Sequence, residues 1–153
     1  MYALNLPDPG LKLQEKNGKL YVFDRLRKQF VRFTPEEQVR QSFIAFLIDE
    51  KGYPEGLLAN EVSIELGNVK RRCDTVLYDV RLAPLMIVEY KAPSVVINQG
   101  VFDQIARYTL SLPAPWLIIS NGLQHFCCRK EAEKKGYSFV KEIPSYSFVL
   151  GKE

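Results

Sequence analysis

Apolar and polar residues alternate through LKLQEK and KLYVFD, on either side of Asn17-Gly18. Alternation places successive side chains on opposite faces of a strand, and Asn-Gly is a preferred two-residue hairpin turn, so the pattern predicts a hairpin. RLRKQFVRF (25–33) continues it as a third strand, with Arg25, Arg27, Lys28 and Arg32 read as charges that guard an edge rather than as phosphate contacts. The period then changes. Thr34-Pro35-Glu36-Glu37 supplies a capping residue, a first-turn proline and a glutamate three places after the cap, and Val39, Phe43, Phe46 and Leu47 follow at helical spacing. A helix is expected to about Glu50, ended by Gly52 and Pro54.

Further on, EVSIEL (61–66) alternates as a strand and leads through Gly67-Asn68 and Lys70-Arg71-Arg72 into two β-rich runs, 73–79 and 85–91. The short connection between those runs contains Pro84, so they read as an antiparallel hairpin. Residues 99–110 suit a helix with Val101, Ile105 and Leu112 on one face and Gln104 and Tyr108 one turn apart beside it. WLIIS (116–120) is a continuous apolar run, as a strand covered on both faces requires. Asn121-Gly122 marks a turn before a strand at 123–129, and the remaining Lys/Glu-rich stretch and YSFVKEIPSYSFVL are expected to hold a short helix and a terminal strand. The order predicts a mixed α/β (α+β) chain, with a central sheet flanked by helices and an N-terminal β-meander. A single domain over 1–153 is expected, made of a β-rich extension (1–33), a core (34–131) and a C-terminal extension (132–153).

Composition narrows the classes. With 153 residues, 46% of them hydrophobic, the chain can bury a sizeable core. It shows neither a signal peptide nor an apolar run of membrane-spanning length, so a soluble cytoplasmic protein without membrane attachment is expected. Cys73, Cys127 and Cys128 have neither disulfide arithmetic nor metal-ligand spacing, and His125 stands alone and is expected to be structural. A net charge of +3 is too small to imply a nucleic-acid partner by itself.

Local charge is more informative. If the hairpin closes around residues 80–83, Asp74 falls across from Glu89, with Cβ atoms roughly 5 Å apart. Glu89 and Lys91 then share a face and Tyr90 takes the other. Two carboxylates with a lysine suit magnesium, a hard cation that prefers oxygen ligands; Asp74 and Glu89 would bind it, and the Tyr90 backbone carbonyl would supply a third oxygen. Without a cation the carboxylates repel, and one holds its proton more tightly. Lys91 would orient or deprotonate a water, or stabilise developing charge, during attack on a phosphodiester. A solvated Glu-Lys pair is the ordinary alternative, but LMIVEYKAP is apolar on both faces before its charges appear, and charges at the end of a buried strand need a reason. Lys70, Arg71 and Arg72 read equally well as phosphate contacts and as a solvated turn.

The succession of helix, strand, Asp74-bearing strand, Glu89-Tyr90-Lys91 strand and helix with Gln104-x-x-x-Tyr108 resembles the PD-(D/E)xK nuclease superfamily. More narrowly, EEQVRQSFIAFLIDEKGYP, RRCDTVLYD, VEYKAP, DQIARY and ISNG resemble the N-terminal nuclease domain of type I restriction enzyme R subunits, over roughly residues 34–129. The resemblance implies a restriction-endonuclease-like core and a magnesium-dependent DNA endonuclease, with manganese as a possible substitute. It implies Asp74 and Glu89 as metal ligands, Lys91 as the catalytic lysine, and a further acid on the first helix, Glu37 before Glu36. Glu37 has a competing role as the capping-box partner of Thr34. Gln104 and Tyr108 match a supporting motif of the superfamily, although Tyr108 reads equally as a core aromatic. Cys73 stands where the superfamily's name records a proline. R subunits of that family carry an ATP-driven motor, and this chain has no Gly-rich phosphate loop; a homodimer, or separate motor or specificity subunits, are the arrangements left open. So is the rival reading, a non-catalytic nuclease-fold module that binds nucleic acid or a protein partner.

Overall fold

A computed structural model describes residues 1–131 and 136–152. Its first sheet is the expected meander of β1 (Leu13–Lys16), β2 (Lys19–Asp24) and β3 (Gln29–Arg32), antiparallel throughout. Lys16 pairs with Lys19, so Asn17-Gly18 forms the two-residue turn, and both residues have the positive φ it requires (53° and 75°). The third strand is shorter than expected. Arg25, Arg27 and Lys28 lie in the β2–β3 turn instead, because the buried Asp24 carboxylate accepts from the backbone N–H groups of Leu26 and Arg27 and folds the chain back.

Helix α1 (Pro35–Asp49) begins at Thr34, whose hydroxyl accepts from the Glu37 N–H at 3.1 Å. Its apolar stripe of Val39, Phe43 and Leu47 is fully buried. Then come β4 (Leu58–Leu66), β5 (Val69–Tyr78), β6 (Pro84–Tyr90), α2 (Gln99–Leu110), β7 (Trp116–Ser120), β8 (His125–Lys130), β9 (Tyr137–Val140) and α3 (Tyr146–Val149). The second sheet has six strands in the order β4-β5-β6-β7-β8-β9, antiparallel except for the parallel pair β6–β7, which α2 connects. The fold is therefore α+β, with a mixed sheet between helices and an additional antiparallel meander. Among the described residues, no helix is long and apolar enough to cross a membrane.

Two corrections follow from the strand boundaries. Lys70, Arg71 and Arg72 lie within β5 rather than in a turn; the turn is Gly67-Asn68, between the paired Leu66 and Val69. The terminal element is the helix α3, capped by the Ser145 hydroxyl, and the strand β9 precedes it. Much of the Lys/Glu-rich stretch, at 132–135, lies outside the described residues.

Both faces of the six-stranded sheet are covered. On one, Val39, Phe43 and Leu47 of α1 pack on Met86, Val88, Tyr90, Trp116 and Ile118. On the other, Phe102, Ile105 and Ala106 of α2 pack on Ile87, Leu117, Ile119 and Cys128. Strand β7 is buried at every position, the reason WLIIS shows no alternation. At about 1.5–3 kcal/mol for each fully buried aliphatic or aromatic side chain, these two layers fix β6 firmly. Its charged end therefore emerges at a rigid place.

Candidate functional site

The β5–β6 register pairs Thr75 with Val88, Val76 with Ile87 and Leu77 with Met86. One further step along this register sets Asp74 opposite Glu89. The Asp74 carboxylate also accepts from the Tyr90 N–H at 2.9 Å, which ties it to the end of β6. Glu89 and Lys91 face α2, as Ile87 does, whereas the Tyr90 ring enters the α1 layer, 6.1 Å from Phe43 between ring centroids. Lys91 lies just past β6, and its backbone N–H donates to the Ser120 carbonyl at 2.9 Å. The side chain thus starts from a fixed point at the β6–β7 edge.

Asp74, Glu89, Tyr90 and Lys91 border a cavity of about 460 Å³ between the sheet and α2. Arg71, Arg72 and Cys73 line it from β5, and Gln104, Ile105 and Tyr108 from α2. Lys70 is exposed on β5 and is not among the lining residues. Tyr108 is half exposed (50%), and the Arg71 guanidinium sits 5.2 Å from its ring centroid, so it is a cavity-rim aromatic rather than a core one. Glu36 also borders the cavity. Glu37 does not: its carboxylate accepts two hydrogen bonds from Arg40 (2.7 and 2.9 Å) and one from Gln41 (3.0 Å). The first-helix acid nearest the site is therefore Glu36. Glu37 has a structural role, held by Arg40 rather than by return to the cap.

Electrostatics set Glu89 apart. Burial raises its pKa well above the usual carboxylate range, the neighbouring Asp74 charge and hydrogen bonding to Asp74 raise it further, and Lys91 offsets only part of this. Two adjacent carboxylates without an adequate counter-charge form a donor set that a divalent cation fits, because it removes the repulsion and takes oxygen ligands. Among the described residues, no three His, Cys, Asp or Glu side chains form a ready cage. Two carboxylates, a backbone carbonyl and water would suffice for magnesium, which retains several waters.

The arrangement behind Asp74 had no sequence signal. Asn60 pairs with Thr75 and Val62 with Cys73, but the intervening Glu61–Asp74 step is missing from the β4–β5 ladder, and Glu61 has φ +57°. That conformation costs an L-residue about 1–2 kcal/mol. Burial opposes ionisation of Glu61, but hydrogen bonds from Arg72 (2.7 Å) and Arg40 (2.8 Å) outweigh it and lower its pKa. Arg40 also donates to the Asp74 backbone carbonyl at 3.1 Å. Below Tyr90, its hydroxyl donates to Thr75, Thr75 to Asn60, and Asn60 to the buried Asp24. Among the described residues, no buried side-chain polar atom lacks a partner.

The remaining candidates are structural. His125 contacts the Ser120 hydroxyl at 2.7 Å and the Asn5 carbonyl at 3.0 Å, and its ring packs on Phe43. All three cysteines are free and buried, and burial pushes each thiol up to about 12, away from the thiolate that nucleophilic or ligand chemistry needs.

Fold and site together define an α+β protein whose mixed sheet carries a cavity with a facing carboxylate pair, Asp74 and Glu89, and the cations Arg71, Arg72 and Lys91 on its lining. The chain belongs to the family described as type I restriction enzyme R protein N terminus (HSDR_N), whose model matches residues 35–144. That span takes in α1, both β5–β6 acids, Lys91, α2 and the rest of the six-stranded sheet. No individual curated protein matches the chain.

Proposed function

We propose that the protein is a magnesium-dependent DNA endonuclease that hydrolyses phosphodiester bonds at Asp74, Glu89 and Lys91. The observation that carries this reading is the Asp74–Glu89 pair: two carboxylates forced together at the rim of an open cavity, where burial and the Asp74 charge raise the pKa of Glu89 and a cation would relieve the repulsion. Asp74, Glu89 and the Tyr90 carbonyl would hold the ion, with Glu36 available from the rim, and manganese would substitute. Bound there, magnesium supplies polarisation of a phosphate oxygen and a lowered pKa for water. Lys91, fixed through its backbone at Ser120, stabilises the negative charge that develops on the phosphate and orients the attacking water. Arg71 and Arg72 of β5 receive the DNA backbone at the cavity rim, where Arg71 meets Tyr108, and Gln104 lines the α2 wall. Two such sites in a homodimer, or one site served by a separate motor or specificity subunit, would complete cleavage of a duplex.

Incubation of plasmid and magnesium with wild type, Glu89→Ala and Lys91→Ala tests the assignment. Nicking or linearisation by wild type alone is expected. Cleavage that survives both substitutions overturns the mechanism. A wild type that binds DNA without cutting it supports a non-catalytic module on the same fold.

A further inference from the structure

We propose that Arg40 is the positioning residue of the acidic pair. It lies on α1, outside the cavity, and its buried guanidinium reaches three partners at once: both Glu37 oxygens, Glu61 and the Asp74 backbone carbonyl. The last contact falls where the β4–β5 ladder omits a pair, so on the β4 side Asp74 lacks the partner that would otherwise hold its main chain. Arg40 takes that place. A guanidinium suits the task because its planar fork satisfies Glu37 with two nitrogens and leaves the third for Glu61 and Asp74. Glu61 completes the clamp: its positive φ turns the side chain so that one oxygen meets Arg40 and the other meets Arg72 on β5. With its backbone fixed, Asp74 presents its carboxylate to the Tyr90 N–H and to Glu89.

The role presupposes that Asp74 and Glu89 are the metal-binding pair, and the test separates the two ideas. Arg40→Lys keeps the charge and loses the fork; Leu47→Ala, on the same helix and in contact with the core rather than Asp74, serves as a destabilised control. Amide hydrogen exchange by NMR reads the Tyr90 N–H without any metal, and calorimetric titration with manganese alone reads the site. In Arg40→Lys the Tyr90 amide is expected to lose about tenfold more protection than the Val88 amide, and manganese affinity to fall about 10–100-fold, the range for loss of an outer-shell partner. In Leu47→Ala the two amides should change together, and manganese affinity should stay within about twofold of wild type. A Tyr90 amide that is unchanged, or that changes only in step with Val88, in Arg40→Lys overturns the positioning role, whatever the metal does. Selective loss of Tyr90 protection in a protein that binds no manganese even as wild type supports the positioning of Asp74 and removes the metal reading instead.

Discussion

Two groups of acids flank β5, and they are neutralised in opposite ways. On the α1 side, Glu37, Glu61 and Asp24 are matched to Arg40, Arg72 and Arg27 at hydrogen-bonding distance. On the α2 side, Asp74 and Glu89 face each other at a cavity, and Lys91 does not hold Glu89 in the ordinary carboxylate range. Burial raises the pKa of Asp24 too, yet hydrogen bonds from Arg27 and Asn60 more than reverse the shift. Burial alone therefore does not mark a site. Two carboxylates that face each other beside open space, with the raised one facing an acid rather than an arginine, do.

The closed group should fail when its charge balance is broken. Arg40→Ala leaves Glu37 buried without its bidentate partner, and loss of one member of a buried ion pair costs about 3–5 kcal/mol. At about 2–4 °C per kcal/mol for a domain of this size, thermal melting should move by on the order of 10 °C. Pairing the change with Glu37→Gln should recover part of the loss, since the unpaired charge is gone. If Arg40→Ala melts with wild type, the α1 network is not structural.

The open group should respond with the opposite sign. Glu89 has a raised folded pKa, so its contribution to stability is complete below the ordinary glutamate range and is lost as pH rises toward the folded value. In metal-free protein, Glu89→Gln should melt higher than wild type by several degrees at pH 8 and by little at pH 5. Magnesium should narrow the gap by raising wild type alone. A gap that is constant with pH and indifferent to magnesium means that Glu89 carries no charge frustration.

The open group was legible in the sequence because its rule is local. Alternation put Glu89 and Lys91 on one face, and hairpin arithmetic put Asp74 across from Glu89, in the register of the Thr75–Val88 to Leu77–Met86 pairs, although a bulge between Leu77 and Tyr78 shifts the pairing nearer the turn. Helices α1 and α2 were equally readable, from the Thr34 cap and from the apolar spacing of residues 99–110. The closed group was not. Glu61 reads as one polar position of an ordinary strand, and its positive φ and its bond to Arg40, 21 residues away, arise only when α1 crosses the sheet edge. For the same reason the expected order of the first-helix acids, Glu37 before Glu36, is reversed at the cavity. Adjacent residues on a helix differ by about 100° in direction; Glu37 meets Arg40 one turn on within α1 itself, and only the docking of α1 turns Glu36 toward the cavity. Arg25, Arg27 and Lys28 were misplaced because a buried Asp24 that organises a turn looks, in sequence, like the polar end of a strand.

Tyr90 belongs to both groups and can separate them. Its hydroxyl joins the closed chain through Thr75, while its backbone serves the open pair. Tyr90→Phe should cost about 1 kcal/mol in a urea melt, the net worth of one buried hydrogen bond. Plasmid cleavage should stay within about twofold of wild type, because Phe retains the backbone and the ring contact with Phe43. Loss of cleavage with little loss of stability would mean that the buried chain tunes the site, and the two groups would have to be treated as one.

Lys28→Ala supplies the lower end of the scale. Lys28 pairs with Glu55 at 3.2 Å, but its side chain is 69% exposed, so the attraction acts through water and is screened by salt. Expected destabilisation is at most about 0.5 kcal/mol, shrinking further at high ionic strength. Urea melts at low and high salt measure both. The pair has a shorter ion contact than the 3.7 Å between Arg27 and Glu37, so geometry alone would rank it higher. A loss comparable to that of Arg40→Ala would show that matched charge stabilises this protein wherever it occurs. A loss near zero shows that matching matters only once water is excluded, which is the condition that makes an unmatched Glu89 costly as well.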